Sequence, residues 1–253
     1  MLALCGMIGA ITMTMLGDPT DPQGLSLVVG TVVGIAAGTA CGFLNGLLIT
    51  RLKLQPFIVT LGTMSFFRGI TLVMKDGQSV NVPSYKYLGE GTVLAVPISI
   101  IIFAVLILIA IFILRYTRLG RYTYAIGSNR EAAFHAGVNV NRNLVCIYTL
   151  TGLLVGIGAM IATSRTVSAQ PTAGLGAELD IIAAVVIGGA SLAGGQGSIV
   201  GTIIGTLLIS FLRNGCTLLG ISTNAQLIVI GMIIVIAVSV DQLARAKTAE
   251  LQS

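Results

Sequence analysis

Few residues in this chain are of types that do chemistry. There is one histidine, His135, and there are four cysteines, Cys5, Cys41, Cys146 and Cys216, each in or beside an apolar run. No Cys-x-x-Cys or Cys/His ligand spacing occurs, so neither a metal site nor a disulfide framework is expected. There is no GxxxxGK[ST] string to cradle ATP, no HExxH, and no Ser/His/Asp set that a single histidine could easily serve. His135 lies in a basic polar stretch, where a solvated or helix-end role is the default. These residues argue against an enzyme, and the chain is expected to bind no cofactor of its own. A carrier or channel is the better class.

The informative polar residues are those set among apolar neighbours. Arg68 stands about 16 Å along a helix from the start of its apolar run. An arginine at such a depth faces a cavity by default, and the alternatives are snorkelling to the outer surface or pairing with Glu178 or Asp180. Asn45, Thr60 and Thr63 could line a pathway for a hydroxylated cargo, although a threonine in a membrane helix ordinarily bonds its own i−4 carbonyl.

These positions need elements to hold them, and composition says which. Of 253 residues, 55% are hydrophobic and 9% charged, against roughly 25% charged in soluble domains. That excludes an ordinary cytosolic domain, and it equally excludes a disordered chain. With 32 glycines and no tryptophan, the composition predicts an all-α, polytopic transmembrane bundle of closely packed helices. The net charge of +5 reads as loop residues that orient the chain, not as a nucleic-acid surface.

Eight apolar runs are expected to give about eight spans, at 1–16, 25–50, 57–74, 93–114, 144–162, 181–190, 198–212 and 218–240. The sixth reaches spanning length only if it starts near Gly174 or Gly176. Met1-Leu-Ala-Leu-Cys-Gly carries no basic residue, so it is not read as a signal peptide. Placing 17–24, 75–92, 164–180 and 213–220 outside leaves Lys75, Lys86, Arg165 and Arg213 there. It puts Arg51, Lys53, Arg115, Arg118, Arg121, Arg130, Arg142, Arg245 and Lys247 inside. The excess predicts a cytoplasmic C-terminus, with 241–253 inside. In the second run Gly30, Gly34, Gly38, Gly42 and Gly46 recur every fourth residue. Such a row marks a packing seam along one ridge of a helix. Gly197, Gly201 and Gly205 repeat the spacing, and Gly152 and Gly156 do so once.

The inner loop 115–143 is the longest polar stretch. Ser128 followed by Glu131 forms a capping-box pair, which predicts a short helix over 129–136 that Gly137 stops in the left-handed C′ position. Such a rigid helix on the inner face suits a membrane protein that receives force from a cytoplasmic motor.

Glu131-Ala132-Ala133, three residues, then Gly137 resembles the EAA-xxx-G coupling motif of permease subunits of ABC importers. Further matches are Thr117-Arg-Leu-Gly-Arg-Tyr-Thr-Tyr-Ala-Ile-Gly-Ser-Asn, Gln55-Pro-Phe-Ile-Val-Thr-Leu-Gly, Arg68-Gly69, and the specific stretch from Ser168-Ala-Gln-Pro to Ala193-Gly-Gly-Gln-Gly. Together they resemble the monosaccharide permeases, closest to the ribose-type branch, over nearly the whole chain. The resemblance implies one permease domain over 1–253 in the plasma (inner) membrane of a bacterium. It implies that Ser128, Glu131, Ala132, Ala133 and Gly137 couple to a cytoplasmic ATPase subunit, which uses the ATP. It further implies a second permease subunit, identical or not, and an extracytoplasmic sugar-binding protein. Gln170, Glu178 and Asp180 at the outer mouth either meet that protein or cap the sixth helix, whose first turn favours acids. The arginines at 115, 118 and 121 set topology and meet lipid phosphates first, with ATPase contact as a second possibility.

The family usually has ten spans, with an Asp-Leu-Ser-x-Gly stretch ahead of the position that matches Met1. The resemblance thus implies that two family helices are missing here, as in a fragment, a misplaced start or a short form. The alternative function is a stand-alone secondary carrier or channel for a small polar solute. Intramembrane carboxylates would favour it, but all nine acids fit loops or span ends.

Overall fold

The computed structural model describes residues 1–18, 22–93, 96–222, 225–233 and 239. The elements run in the order α1 (Leu2–Leu16), α2 (Leu25–Arg51), α3 (Pro56–Val73), β1 (Val80–Asn81), α4 (Tyr87–Glu90), β2 (Thr92–Val93), β3 (Val96–Pro97) and α5 (Ile98–Tyr116). They continue as α6 (Arg118–Ser128), α7 (Arg130–His135), α8 (Val140–Thr166), β4 (Ser168–Ala169), α9 (Ala177–Ile187) and α10 (Ile199–Leu218). Residues 225–233 are also helical. The all-α, polytopic reading holds: each of the eight apolar runs carries helix. Five helices among the described residues are long and apolar enough to cross a membrane, namely α2, α3 with its 3-10 extension to Gly77, α5, α8 and α10. The first apolar run gives a shorter helix of 15 residues. The C-terminal stretch 241–253, expected inside, lies outside the described residues.

The described chain divides into two compact units. One comprises Met1–Phe112 with Asn139–Gly174, and the other Ile113–Val138 with the described residues from Leu175 onward.

In the first unit the glycine row of α2 is the central seam. Gly30, Gly34, Gly38, Gly42 and Gly46 are all buried. Gly30 and Gly34 face α1, with Met160 of α8 also against Gly34. A β-carbon added at Gly38 would lie 2.6 Å from the Gly152 carbonyl oxygen and 2.8 Å from Gly156 Cα. One at Gly42 would strike the Tyr148 carbonyl, and one at Gly46 would lie 2.8 Å from Val145 Cα. Backbone thus packs on backbone, which only side chains no larger than hydrogen allow. Phe67 of α3 joins the bundle by packing with Leu4 of α1 and Cys41 of α2. By contrast α5 contains no buried residue, as expected of an apolar helix bathed in lipid.

The loops expected outside are not plain turns. β1 pairs antiparallel with β4, Val80 opposite Ala169 and Asn81 opposite Ser168. The backbone just past β1 continues the tie, with the Val82 amide donating to the Val167 carbonyl at 2.9 Å. Val82, Tyr85 and Ala169 are buried with Met7, Ala10 and Met13 of α1 and Met160 of α8. The hydroxyls of Tyr85 and Thr31 share a 2.8 Å hydrogen bond. Burial pushes the Tyr85 phenol above its ordinary pKa, and the bond to Thr31 partly offsets that. The Gly89 amide donates to Ser164 Oγ at 2.9 Å, and a β-carbon at Gly89 would lie 2.6 Å from Arg165 Cα.

In the second unit α9 and α10 form an antiparallel hairpin. Gly201 meets the Gly188 carbonyl and Gly205 the Ala184 carbonyl, so the second glycine row is also a seam. α9 has 11 residues, about 16 Å of helix, roughly half the ~30 Å hydrocarbon core. It starts at Ala177 behind an N-cap at Gly176, and even from that start it falls well short of a full span.

Candidate functional site: a capped helix pair and its glycine-loop seat

The stretch 115–143 holds two helices, not one. Thr117 ends α5 and starts α6: its hydroxyl donates to the Ile113 carbonyl at 2.6 Å and accepts from the Gly120 amide at 3.4 Å. α6 is strongly amphipathic, with Gly120 and Ile126 buried. The expected cap is corrected here. Ser128 is the last residue of α6, and the N-cap of α7 is Asn129, whose Oδ1 accepts from the Ala132 amide at 2.9 Å. Asparagine competes on equal terms with serine for this role, and its extended backbone (φ −152°, ψ 109°) is that of an N-cap. Glu131 therefore lies in the first turn of α7, where a carboxylate suits the positive end of the helix. Gly137 stops α7 as expected, at φ +81°. Its amide donates to the Phe134 carbonyl and that of Val138 to Ala133, both closing the last turn. Glu131, Ala132, Phe134 and His135 are exposed, and Ala133 is buried.

The end of α6 rests on the loop between α9 and α10. The Tyr124 hydroxyl donates to the Gly197 carbonyl at 2.9 Å. A β-carbon at Gly127 would lie 2.6 Å from the Gly195 nitrogen, and one at Gly195 would lie 2.7 Å from Ser128 Cα.

The polar residues expected in a pathway belong to the first unit. Asn45 is buried in α2, and among the described residues its Oδ1 has no hydrogen-bond partner. The Thr60 and Thr63 hydroxyls donate within α3, to the Phe57 and Thr60 carbonyls at 3.1 and 3.2 Å. The local alternative is thus the one adopted, at i−3 spacing. Arg68 is half-buried on the same helix. Among the described residues it makes no ion pair, and Asp180, one of its two expected partners, is bound elsewhere. Gln170 is exposed just beyond β4. In the other unit Glu178 and Asp180 occupy the first turn of α9. Asp180 pairs with Arg213, 2.7 Å from its guanidinium. Arg213, expected in a loop at 213–220, is inside α10, which runs on to Leu218.

The profile of the family described as "Branched-chain amino acid transport system / permease component" matches residues 3–238. The chain belongs to that permease family. The permease is 41% identical over 245 residues to the ribose import permease protein of Escherichia coli, covering 94% of this chain and 75% of the relative. It is 45% identical over 244 residues to the ribose import permease protein of Bacillus subtilis, covering 95% and 74%. It is 38% identical over 244 residues to the D-allose transport system permease protein of Escherichia coli, covering 96% and 73%. No solved structure matches it. The resemblance to sugar permeases is thereby borne out, and the permease stands among transport components and not enzymes.

Two features of the permease escape a reading of its sequence alone. α6 lies within the stretch expected as polar loop, although its strong amphipathicity could have revealed it. The Asp180–Arg213 pair spans 33 positions, and nothing local in either segment announces it.

Proposed function

We propose that this permease is the transmembrane subunit of an ATP-driven importer of a monosaccharide of the ribose type, in a bacterial inner membrane. The observation that carries the reading is 41–45% identity to ribose import permease proteins over 94–95% of the chain. The allose relative supports a pyranose- or furanose-sized polyol as cargo. A P-loop ATPase subunit docks on α7, a second permease subunit completes the pathway, and an extracytoplasmic binding protein delivers the sugar.

The geometry supports the coupling role of α7. Asn129 and Gly137 close both ends of a six-residue helix, so it acts as a stiff knob although it is too short to be stable alone. Its exposed face offers Glu131, Ala132, Phe134 and His135. Phe134, at 66% exposed, is a large apolar side chain suited to a pocket on a protein partner. Asn45, Thr60, Thr63 and Arg68 are pathway candidates. Asn45 is the strongest of them, because its buried oxygen has no partner among the described residues and a buried polar atom calls for one.

The test is co-purification of the chain with a candidate ABC ATPase subunit, followed by uptake of radiolabelled ribose, allose and fructose into proteoliposomes supplied with the sugar-binding protein. ATP-dependent uptake of at least one sugar is expected. ATP-independent uptake would overturn the reading in favour of a stand-alone carrier.

A further inference from the structure

The seat of α6 on the 191–197 loop is built as a stiff joint. α9 ends in a left-handed turn at Gly189, φ +84°, where the Gly189 and Ala190 amides donate to the Val186 and Val185 carbonyls. α10 begins with Ser198 Oγ accepting from the Gly201 amide at 3.0 Å. Between these caps the loop bonds to itself. The Ser191 amide donates to the Gln196 carbonyl at 3.0 Å, the Gly194 amide to the Ser191 carbonyl at 3.1 Å, and the Ala193 amide to Ser191 Oγ at 3.1 Å.

The contact surface is backbone on both sides. Gly194 and Gly195 have φ +94° and +75°, and a β-carbon on Gly194 would lie 2.6 Å from the Gly127 carbonyl oxygen. No flexible side chain intervenes to absorb a displacement. Tyr124 adds a directed bond to Gly197, next to the α10 N-cap.

We propose that Tyr124 is a positioning residue for coupling. Its bond to Gly197, with the seam of Gly127 and Ser128 on Gly194 and Gly195, delivers displacement of α6 and α7 to the α9–α10 hairpin. The inference rests on the reading of α7 as an ATPase dock. It assigns to Ser128 a seat on Gly195 in place of a helix cap. A contiguous backbone contact is a physical route for coupling, but the route counts only if breaking it changes the coupling.

Tyr124→Phe removes one hydroxyl and leaves the ring. Tyr122→Phe is the control: it sits on the same helix, and among the described residues its hydroxyl makes no hydrogen bond. Each variant is reconstituted with the ATPase and binding protein, and radiolabelled ribose taken up is divided by ATP hydrolysed. Co-purification of the ATPase and thermal stability are measured alongside. Tyr124→Phe should bind the ATPase normally yet carry roughly two- to tenfold less ribose per ATP, the equilibrium weight of one hydrogen bond. Tyr122→Phe should match wild type. Gly195→Ala should uncouple further, and its effect combined with Tyr124→Phe should be non-additive, because both act on one joint. An unchanged ratio in Tyr124→Phe, whatever its stability, overturns the inference while the importer reading stands. Failure of the wild type to bind the ATPase or to carry ribose with ATP overturns the reading of this chain as a ribose importer, and the inference with it.

Discussion

Asp180 and Arg213 face each other across the α9–α10 hairpin, with carboxylate and guanidinium 2.7 Å apart. Asp180 is in the first turn of α9, and Arg213 lies between Phe211 and Cys216 in an otherwise uncharged helix. Side-chain exposures of 21% and 34% place the pair between a surface and a buried ion pair. Removing one partner strands the other charge beside apolar helix. Arg213→Gln and Asp180→Asn should each lower stability by about 1–3 kcal/mol, between the limits for exposed and buried pairs. The double variant should cost less than the two single losses added. Thermal melts in one detergent check this, and strictly additive losses would show that the two residues act independently.

The glycine seam separates two kinds of glycine. At Gly38 an added methyl meets the Gly152 carbonyl oxygen at 2.6 Å, whereas at Gly62 no atom of the described residues lies within 4 Å. Gly38→Ala should therefore destabilise by about 1–3 kcal/mol, as overpacking does, and Gly38→Leu should block folding. Gly62→Ala should be neutral or slightly stabilising. Yield and melting temperature after extraction decide it. Equal tolerance at both positions would mean that α2 and α8 do not pack through this ridge.

The cap of α7 can be tested at the amide it holds. Asn129→Ala removes the acceptor of the Ala132 amide and should cost about 0.5–2 kcal/mol, enough to fray a helix this short. Hydrogen exchange at Ala132 should accelerate. Ser128→Ala should leave that exchange unchanged. Faster exchange in Ser128→Ala and not in Asn129→Ala would restore the serine cap.

Gly137 ends α7 at φ +81°, a conformation that β-branched residues adopt poorly. Gly137→Val should lower ATPase co-purification several-fold while the protein inserts in the membrane at normal yield. Full retention of the ATPase would overturn the proposed docking on α7.

Tyr85 makes a prediction about pH. Its phenol is held above the ordinary value of 10.0 by burial, so the folded state keeps a proton that the unfolded chain releases. The contribution to stability is present in full below pH 10 or so and is lost as pH rises through the higher folded value. Tyr85→Phe should flatten that alkaline loss. A phenolate absorbance titration reads the same shift directly, and ionisation of Tyr85 at the ordinary value would contradict its burial.

Much of this protein was legible in its residues because the relevant physics is local. Long apolar runs become helices since lipid offers no partner for backbone amides. A glycine every fourth residue marks a ridge wherever the neighbour lies, and Gly137 stops a helix by its own backbone freedom. The kinship with sugar permeases was equally readable, being carried by strings of adjacent residues. The same sequence placed the cap at Ser128, since serine and asparagine side by side are near-equal caps. Only the continuation of α6 through Ser128, which lies against Gly195, hands the cap to Asn129. Which partner each seam meets, α8 for Gly38 and α9 for Gly201, depends on contacts between distant segments. So do the choice of Arg213 as the mate of Asp180 and the pairing of β1 with β4. Distant contacts are selected by how whole helices pack, and no window of sequence contains that choice.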